Sequence, residues 1–163
     1  MAMTYLSLGA NLGNRRQQLT AAAALLSERA GRLLALSRFY ETAPWGYDSP
    51  HPFLNAAAQL ETALAPQELL AATRQIERDL GRTAKTGGAA AYQDRLIDID
   101  ILLYDRLVLK LPDLILPHPR MHLRTFVLQP LAEIAPSLQH PVLNQTVAEL
   151  YCVRHGFVHG HEK

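Results

Sequence analysis

One cysteine, Cys152, is all that 163 residues provide. No disulfide can close within the chain, and a reducing cytosol is the expected compartment. Cys152 lies in Leu150-Tyr151-Cys152-Val153, a stretch that reads as helix, where a small buried residue is expected rather than a reactive thiol. Long apolar runs are also missing. No window approaches the roughly 20 apolar residues of a membrane span, and Met1 to Gly9 lacks the basic and apolar regions of a signal peptide. Nor does charge of one sign predominate: the net charge is +1, which argues against nucleic acid or a membrane surface as partner. Repeats and charge blocks are absent. What remains suits a globular chain, 48% hydrophobic and 19% charged, long enough to bury a core as one domain over residues 1–163. Residues 154–163 hold three of the seven histidines and read as a frayed polar tail. A chain ending soon after its last helix is expected to carry no fused second enzyme, and a monomer is expected.

Residues 95–103 read Arg-Leu-Ile-Asp-Ile-Asp-Ile-Leu-Leu, two carboxylates inside a run rich in Ile and Leu. Such a run is strand material, and a strand sends residues i and i+2 to one face. Asp98 and Asp100 are therefore expected side by side, roughly 6.5–7 Å apart at the backbone. Two like charges near an apolar sheet repel each other and resist desolvation. A hard divalent cation with oxygen ligands, magnesium above all, resolves that conflict. A solvated pair salt-bridged to nearby Lys or Arg is the plainer alternative. Arg95, three residues before Asp98, adds a guanidinium fork suited to phosphate.

Thr4–Leu8 reads as a first strand ended by Gly9. Asn14 with Gln17 resembles a capping box, and Leu19, Ala22, Ala23 and Leu26 follow at helical spacing. Leu33–Tyr40 and Phe53–Leu60 read as paired strands, separated by a turn-rich loop, Ala43 to Pro52, whose three prolines forbid regular structure. Pro66 fits the first position of a helix faced by Leu69, Thr73, Ile76 and Leu80, with Gly81 at its C-terminal cap. Residues 82–94 lose all periodicity and read as a mobile loop. Asp105-Arg106 suggests a turn into a short return strand, Leu107–Lys110. Pro117-His118-Pro119 precedes a helix over residues 121–134 interrupted at Pro130, and Thr146 with Glu149 caps a last helix. Strand, helix, strand, strand, helix, strand predicts an α+β fold: a ferredoxin-like α/β sandwich with a mostly antiparallel sheet and mobile catalytic loops.

Phosphate chemistry asks for acidic metal ligands, guanidinium groups and often a closing lid. Arg82, Lys85 and Arg95 flank a Gly/Ala-rich loop joined directly to the acidic strand, suited to closing over a polyphosphate. Gly81-Arg82-Thr83-Ala84-Lys85-Thr86 lacks the glycine that precedes Lys-Thr in a Walker A loop, so ATP would be bound outside the P-loop architecture.

Further blocks share this order: Leu8-Gly9-Ala10-Asn11-Leu12-Gly13, Ser37-Arg38-Phe39-Tyr40-Glu41-Thr42-Ala43-Pro44, and Phe53-Leu54-Asn55-Ala56-Ala57. Ile76-Glu77 through Gly81-Arg82 follows, then Arg95 through Ile101, and Leu116-Pro117-His118-Pro119 through Arg124-Thr125-Phe126-Val127-Leu128. Spread over about residues 4–150, the ordered set resembles the 6-hydroxymethyl-7,8-dihydropterin pyrophosphokinase family, which transfers pyrophosphate from ATP to a pterin in folate biosynthesis. The resemblance implies a ferredoxin-like sandwich, in agreement with the element order, and small-molecule substrates. It further implies that Asp98 and Asp100 bind two Mg²⁺ ions bridging the ATP phosphates, and that Arg82 and Arg95 act on those phosphates.

By the same resemblance His118 and Arg124 contact ATP, Ile101 offers a backbone contact to adenine, and Tyr92 is an aromatic closing over the site. Phe53 and Phe126 match rings that sandwich the pterin, for which core packing is the structural alternative. Asn55 and Thr42 match side chains that read its edge, an amide carrying both donors and acceptors. Ala43 and Trp45 match positions whose backbone completes that reading. Glu77 lies beside the apolar stripe of its helix, awkward for a carboxylate without a partner. The family uses that position near the nucleotide; an ion pair with Arg82 is the alternative. The chain departs from the family pattern at Gln93-Asp94, at Ala84, and at Asp113 and Ile115, where some members carry a basic residue and a Thr. Asp-x-Asp also serves nucleotide-sugar transferases, which are generally larger. An RNA-binding ferredoxin-like module would want exposed sheet aromatics in basic surroundings, against the near-neutral charge and the Asp98/Asp100 pair.

Overall fold

β1 (Ala2–Ala10) is buried along nearly its whole length because strands flank it on both edges and helices cover both faces. The structure, a computed structural model, describes residues 1–42, 51–81 and 96–160, with side chains through residue 154. After β1 come α1 (Arg15–Arg29), β2 (Arg32–Leu36), β3 (Tyr40–Thr42), β4 (Phe53–Thr62), α2 (Pro66–Asp79) and β5 (Asp98–Tyr104). A small hairpin, β6 (Leu109–Lys110) and β7 (Ile115–Leu116), leads to a 3-10 turn at Met121–Leu123, then α3 (Thr125–Ile134) and α4 (Val147–Gly160). The main sheet runs β2-β4-β1-β5, every neighbour antiparallel, with β3 paired to the start of β4. Each helical crossover skips one strand, which makes this the ferredoxin-like order expected of the chain.

Local chemistry accounts for the helices. Asn14 Oδ1 accepts the Gln17 N–H at 3.1 Å, and Leu19, Ala22, Ala23 and Leu26 form the buried face of α1. Pro66 opens α2, Glu68 Oε1 accepts the Ala65 N–H at 2.8 Å, and Gly81 at φ +107° follows the helix end, where a side chain would be strained. Thr146 and Glu149 exchange hydrogen bonds of 2.8 and 3.1 Å at the start of α4.

Leu33–Tyr40 is not one strand. Ser37 Oγ donates to Arg38 O at 2.7 Å and accepts the Ala57 N–H at 2.9 Å, a side chain standing in for backbone that separates β2 from β3. Nor does Pro130 interrupt its helix. The break falls earlier, between the 3-10 turn and α3, and Pro130 is buried with Val127, Leu128 and Leu131, packing that offsets the backbone bond a proline forgoes. The return strand is confined to Leu109–Lys110 and pairs with β7 rather than joining the main sheet. Residues 154–160 continue α4 where a tail was expected. Cys152 is exposed, not buried: α4 packs through Val147 and Leu150, and position 152 falls about 140° around the helix from 147.

Two apolar layers sandwich the sheet. Leu6, Leu8, Ile99 and Ile101 meet α1 and α2 on one side; Tyr5, Ala57 and Leu103 meet α3 and α4 on the other. Among the described residues, no helix is long and apolar enough to cross a membrane.

Candidate active site

Ile97, Ile99 and Ile101 turn into the α1/α2 core, so strand alternation puts Asp98 and Asp100 on the opposite face of β5, both half-buried. In register, Asp98 lies across from Gly9 and Asp100 across from Ser7. β5 is the last strand of the sheet, and α2 supplies a partner for its backbone: Glu77, only 5% exposed, accepts the Ile99 N–H at 2.7 Å. That bond lands on the residue between the two aspartates. It gives the buried carboxylate a role sequence reasoning had not assigned, while the alternative partner Arg82 lies outside the described residues.

His118 completes this edge. Its N–H donates to Leu102 O at 2.8 Å, holding it alongside β5, and its Nδ1 accepts the Arg120 N–H at 3.2 Å. Accepting at Nδ1 leaves the imidazole proton on Nε2. Burial lowers the His118 pKa from its ordinary value; Asp98 pulls the other way, and Arg120 adds to the lowering. Asp98, Asp100, Ile101, His118, Glu77 and Arg74 line a cavity of about 350 Å³ together with residues 112–115. The departures at Asp113 and Ile115 thus stand on the wall of this cavity.

No group of three or more His, Cys, Asp or Glu suited to a metal occurs among the described residues. This does not count against magnesium, which is commonly held by one or two carboxylates, with waters and substrate phosphates filling its shell. Two oxygen-donor side chains on one strand face, opening on a cavity large enough for part of a nucleotide, fit that pattern.

The second half of the site lies two strands away. Gly9 pairs with Asp98 on one side and Asn55 on the other, so a single cross-strand row runs Asp98, Gly9, Asn55, Tyr40. Two strand spacings put Asp98 and Asn55 about 9–10 Å apart at the backbone. Gly9 leaves the row open between them: a Cβ there would stand 3.0 Å from Asn55 Oδ1 and 3.6 Å from Phe53 Cδ1. Asn55 is 3% exposed and donates from Nδ2 to Thr42 Oγ1 at 2.6 Å. Phe53, opposite Thr42, is half-buried on this face; Phe126 is half-buried at the start of α3, which packs over the same face. The guanidinium of Arg124, itself buried, sits 5.6 Å from the Phe126 ring centroid. Burial lowers the Arg124 pKa, marking a cation held out of water.

Both flanks of residues 43–50 are tied to α1 and the turn before it. Asn11 Nδ2 donates to His51 O at 3.0 Å, and Arg15 both donates to Pro52 O at 3.0 Å and pairs with Glu41 at 2.7 Å. The structure therefore brings Thr42, Phe53, Asn55, Phe126 and Arg124 to one end of the sheet and Glu77, Asp98, Asp100, Ile101 and His118 to its edge. Ala43, Trp45, Arg82, Tyr92 and Arg95 lie outside the described residues. Sequence reasoning assigned no role to Ser7 or Arg74 and took Gly9 for the end of the first strand, whereas β1 runs through it to Ala10 and pairs it on both sides.

The sequence profile of the 7,8-dihydro-6-hydroxymethylpterin-pyrophosphokinase family matches residues 5–136. The chain belongs to this family. It is 56% identical over 142 residues to the 2-amino-4-hydroxy-6-hydroxymethyldihydropteridine pyrophosphokinase of Porphyromonas gingivalis, covering 86% of this chain and 95% of that protein. The Bacillus subtilis protein of the same name is 44% identical over 138 residues, covering 84% of this chain and 80% of that one. Among solved structures, a Plasmodium falciparum HPPK-DHPS superposes with a TM-score of 0.73 at 17% identity, 92% of this chain matching 42% of that longer one, a likeness of fold. As a member of the pyrophosphokinase family, the chain is an enzyme of folate biosynthesis.

Proposed function

We propose that this pyrophosphokinase moves the pyrophosphoryl group of ATP onto the hydroxymethyl oxygen of 6-hydroxymethyl-7,8-dihydropterin, as a magnesium-dependent cytoplasmic monomer in which residues 1–163 form one domain. The hydroxymethyl oxygen bonds to the β-phosphorus, the bond from that phosphorus to the bridging oxygen of the α-phosphate breaks, and AMP leaves with its electrons. The hydroxyl proton passes to water. Asp98 and Asp100 are the residues that would hold two Mg²⁺ ions, which when bound neutralise charge on the transferred group.

One observation carries this reading: the row Asp98, Gly9, Asn55, which sets an acidic pair and a buried amide about two strand spacings apart with an open glycine between. That spacing suits a phosphate chain at one end and a heterocycle at the other. Glu77 keeps β5 in place beneath the acidic pair, and His118 offers an Nε2–H to an anion without adding a charge that must be desolvated. Ile101 lines the cavity and is assigned to a backbone contact with adenine. Phe53 and Phe126 supply flat faces for the pterin and Asn55 and Thr42 its edge contacts, while Arg124 is assigned to ATP. Arg82 and Arg95 are assigned to the phosphates, Tyr92 to closure, and Ala43 and Trp45 to backbone contacts with the pterin. Alignment and charge stabilisation supply most of the rate.

The test is AMP release measured with each component omitted in turn. It should require ATP, the hydroxymethylpterin and Mg²⁺ together, and cease on chelation. Release that continues without pterin, or in excess chelator, would overturn the assignment.

A further inference from the structure

Glu133 lies on α3 and is assigned no contact with substrate, yet it gathers donors from the segment that leads into the pterin pocket. Its carboxylate accepts the Arg38 N–H at 3.1 and 3.3 Å, Arg38 Nε at 3.3 Å, and the Tyr40 hydroxyl. Arg38 closes the group from above, donating to Tyr40 Oη at 3.3 Å with its guanidinium 5.7 Å from the Tyr40 ring centroid. Burial alone would raise the Glu133 carboxyl, but the bonds from Tyr40 and Arg38 outweigh it and hold the group below the usual carboxylate range. It stays ionised and bonded at neutral pH.

The placement of these residues connects the cluster to the slot. Tyr40 is two residues before Thr42 on β3 and directly across from Asn55. Phe126 and Glu133 are seven residues apart on α3, on nearly one side of the helix and about 10.5 Å apart along its axis. Val127, Leu128 and Leu131 seal α3 to the sheet by apolar contact, which is strong but non-directional. A directional tie from helix to β3 is what such contact lacks. We propose that Glu133 is a positioning residue that sets the width of the pterin slot by clamping α3, bearing Phe126, to β3, whose Thr42 pairs directly with Phe53 on β4. This rests on the reading of Phe126 and Phe53 as the two rings that hold the pterin. A flat ring held between two others needs about 7–8 Å between their planes, and opening that gap by 0.5–1 Å forfeits roughly a quarter to a half of the dispersion attraction on that face.

Steady-state kinetics and calorimetric titration of the pterin should be run on the wild-type chain, Glu133→Ala, Glu133→Gln, Tyr40→Phe and the Glu133→Ala/Tyr40→Phe pair. Glu133→Ala should raise the pterin KM and Kd about tenfold, with kcat at saturating pterin and the ATP KM within about twofold of wild type. Tyr40→Phe should act in the same direction, and the double variant should be no worse than Glu133→Ala alone, because both changes open one clamp. Glu133→Gln, which keeps an acceptor of the same shape, should recover part of the loss and serves if the alanine variant does not fold. Unchanged pterin affinity in Glu133→Gln and Glu133→Ala, equal rises in both KM values, or additive effects would overturn the clamp. A wild-type chain without pterin-dependent AMP release removes the pterin reading itself, whereas an active wild type with unmoved variants removes the clamp alone.

Discussion

At the β5 edge, polar groups are held by backbone hydrogen bonds: Glu77 on the Ile99 N–H, His118 on Leu102 O and the Arg120 N–H. At the β4 end, by contrast, aromatic and amide groups are held by other side chains, Thr42 on Asn55 and Glu133 on Tyr40. Backbone anchoring suits the acidic end, where charges repel and must already be in position before the nucleotide arrives. Side-chain anchoring suits the aromatic end, where stacking tolerates small adjustments but not loss of a wall. Damage at the first end should therefore appear in kcat, and damage at the second in the affinity for the pterin.

The largest effect expected comes from the acidic pair. Asp98→Ala and Asp100→Ala should each lower kcat about a thousandfold or more while leaving the thermal unfolding curve cooperative. Near-normal turnover in either variant would refute the metal assignment.

Phe126→Ala sharpens the contrast from the other side. Removing one stacking face should weaken pterin binding by about 1–3 kcal/mol, roughly 5–150-fold, with the ATP KM unmoved. A loss of thermal stability with pterin affinity unmoved would show that Phe126 is core packing.

Glu77→Ala should cost about 1.5–3 kcal/mol of stability, because the buried Ile99 N–H loses a charged acceptor, and should lower kcat by loosening the strand under the aspartates. Glu77→Gln, still an acceptor, should retain most of both. Should the two variants behave alike, the carboxylate acts on the nucleotide rather than on β5.

The smallest effect is a pH dependence. Burial lowers the pKa of His118, against Asp98 and with Arg120, and burial followed by His122 lowers that of His140, whose Nδ1 accepts the Val142 and Leu143 N–H groups at 3.2 and 3.1 Å. As pH falls through the unfolded value of 6.5, the unfolded chain takes up protons first. Stability from these neutral imidazoles is thus complete above that pH and declines below it, toward the folded values. Tm should fall as the buffer is acidified from neutrality, and less steeply in His140→Asn, whose side-chain oxygen still accepts. A Tm independent of pH over that interval would contradict the buried, neutral state.

The parts of this molecule that were legible beforehand are those whose periodicity is local. Ile99 and Ile101 inward with Asp98 and Asp100 outward follow from a period of two, and Leu19, Ala22, Ala23 and Leu26 from the helical repeat. The split of β2 from β3 was not legible, because it depends on Ser37 bonding to Ala57, twenty residues away. The buried carboxylate at position 77 was visible as an oddity, but its partner Ile99 was not. The exposure of Cys152 turned on which side of α4 packs inward against α3, and Pro130 on how firmly α3 is packed.

Composition, alternation and ordered blocks were enough, taken alone, to specify a ferredoxin-like sandwich with an acidic pair on one strand, since those features depend on neighbours within a few residues. Tertiary structure alone decided that Gly9 stands between Asp98 and Asn55, that Glu77 supports β5, and that Glu133 reaches Tyr40, 93 positions earlier in the chain. Contacts of that range are set by strand order and helix docking, and no local pattern of residues encodes the distance between two elements that meet only when the core closes.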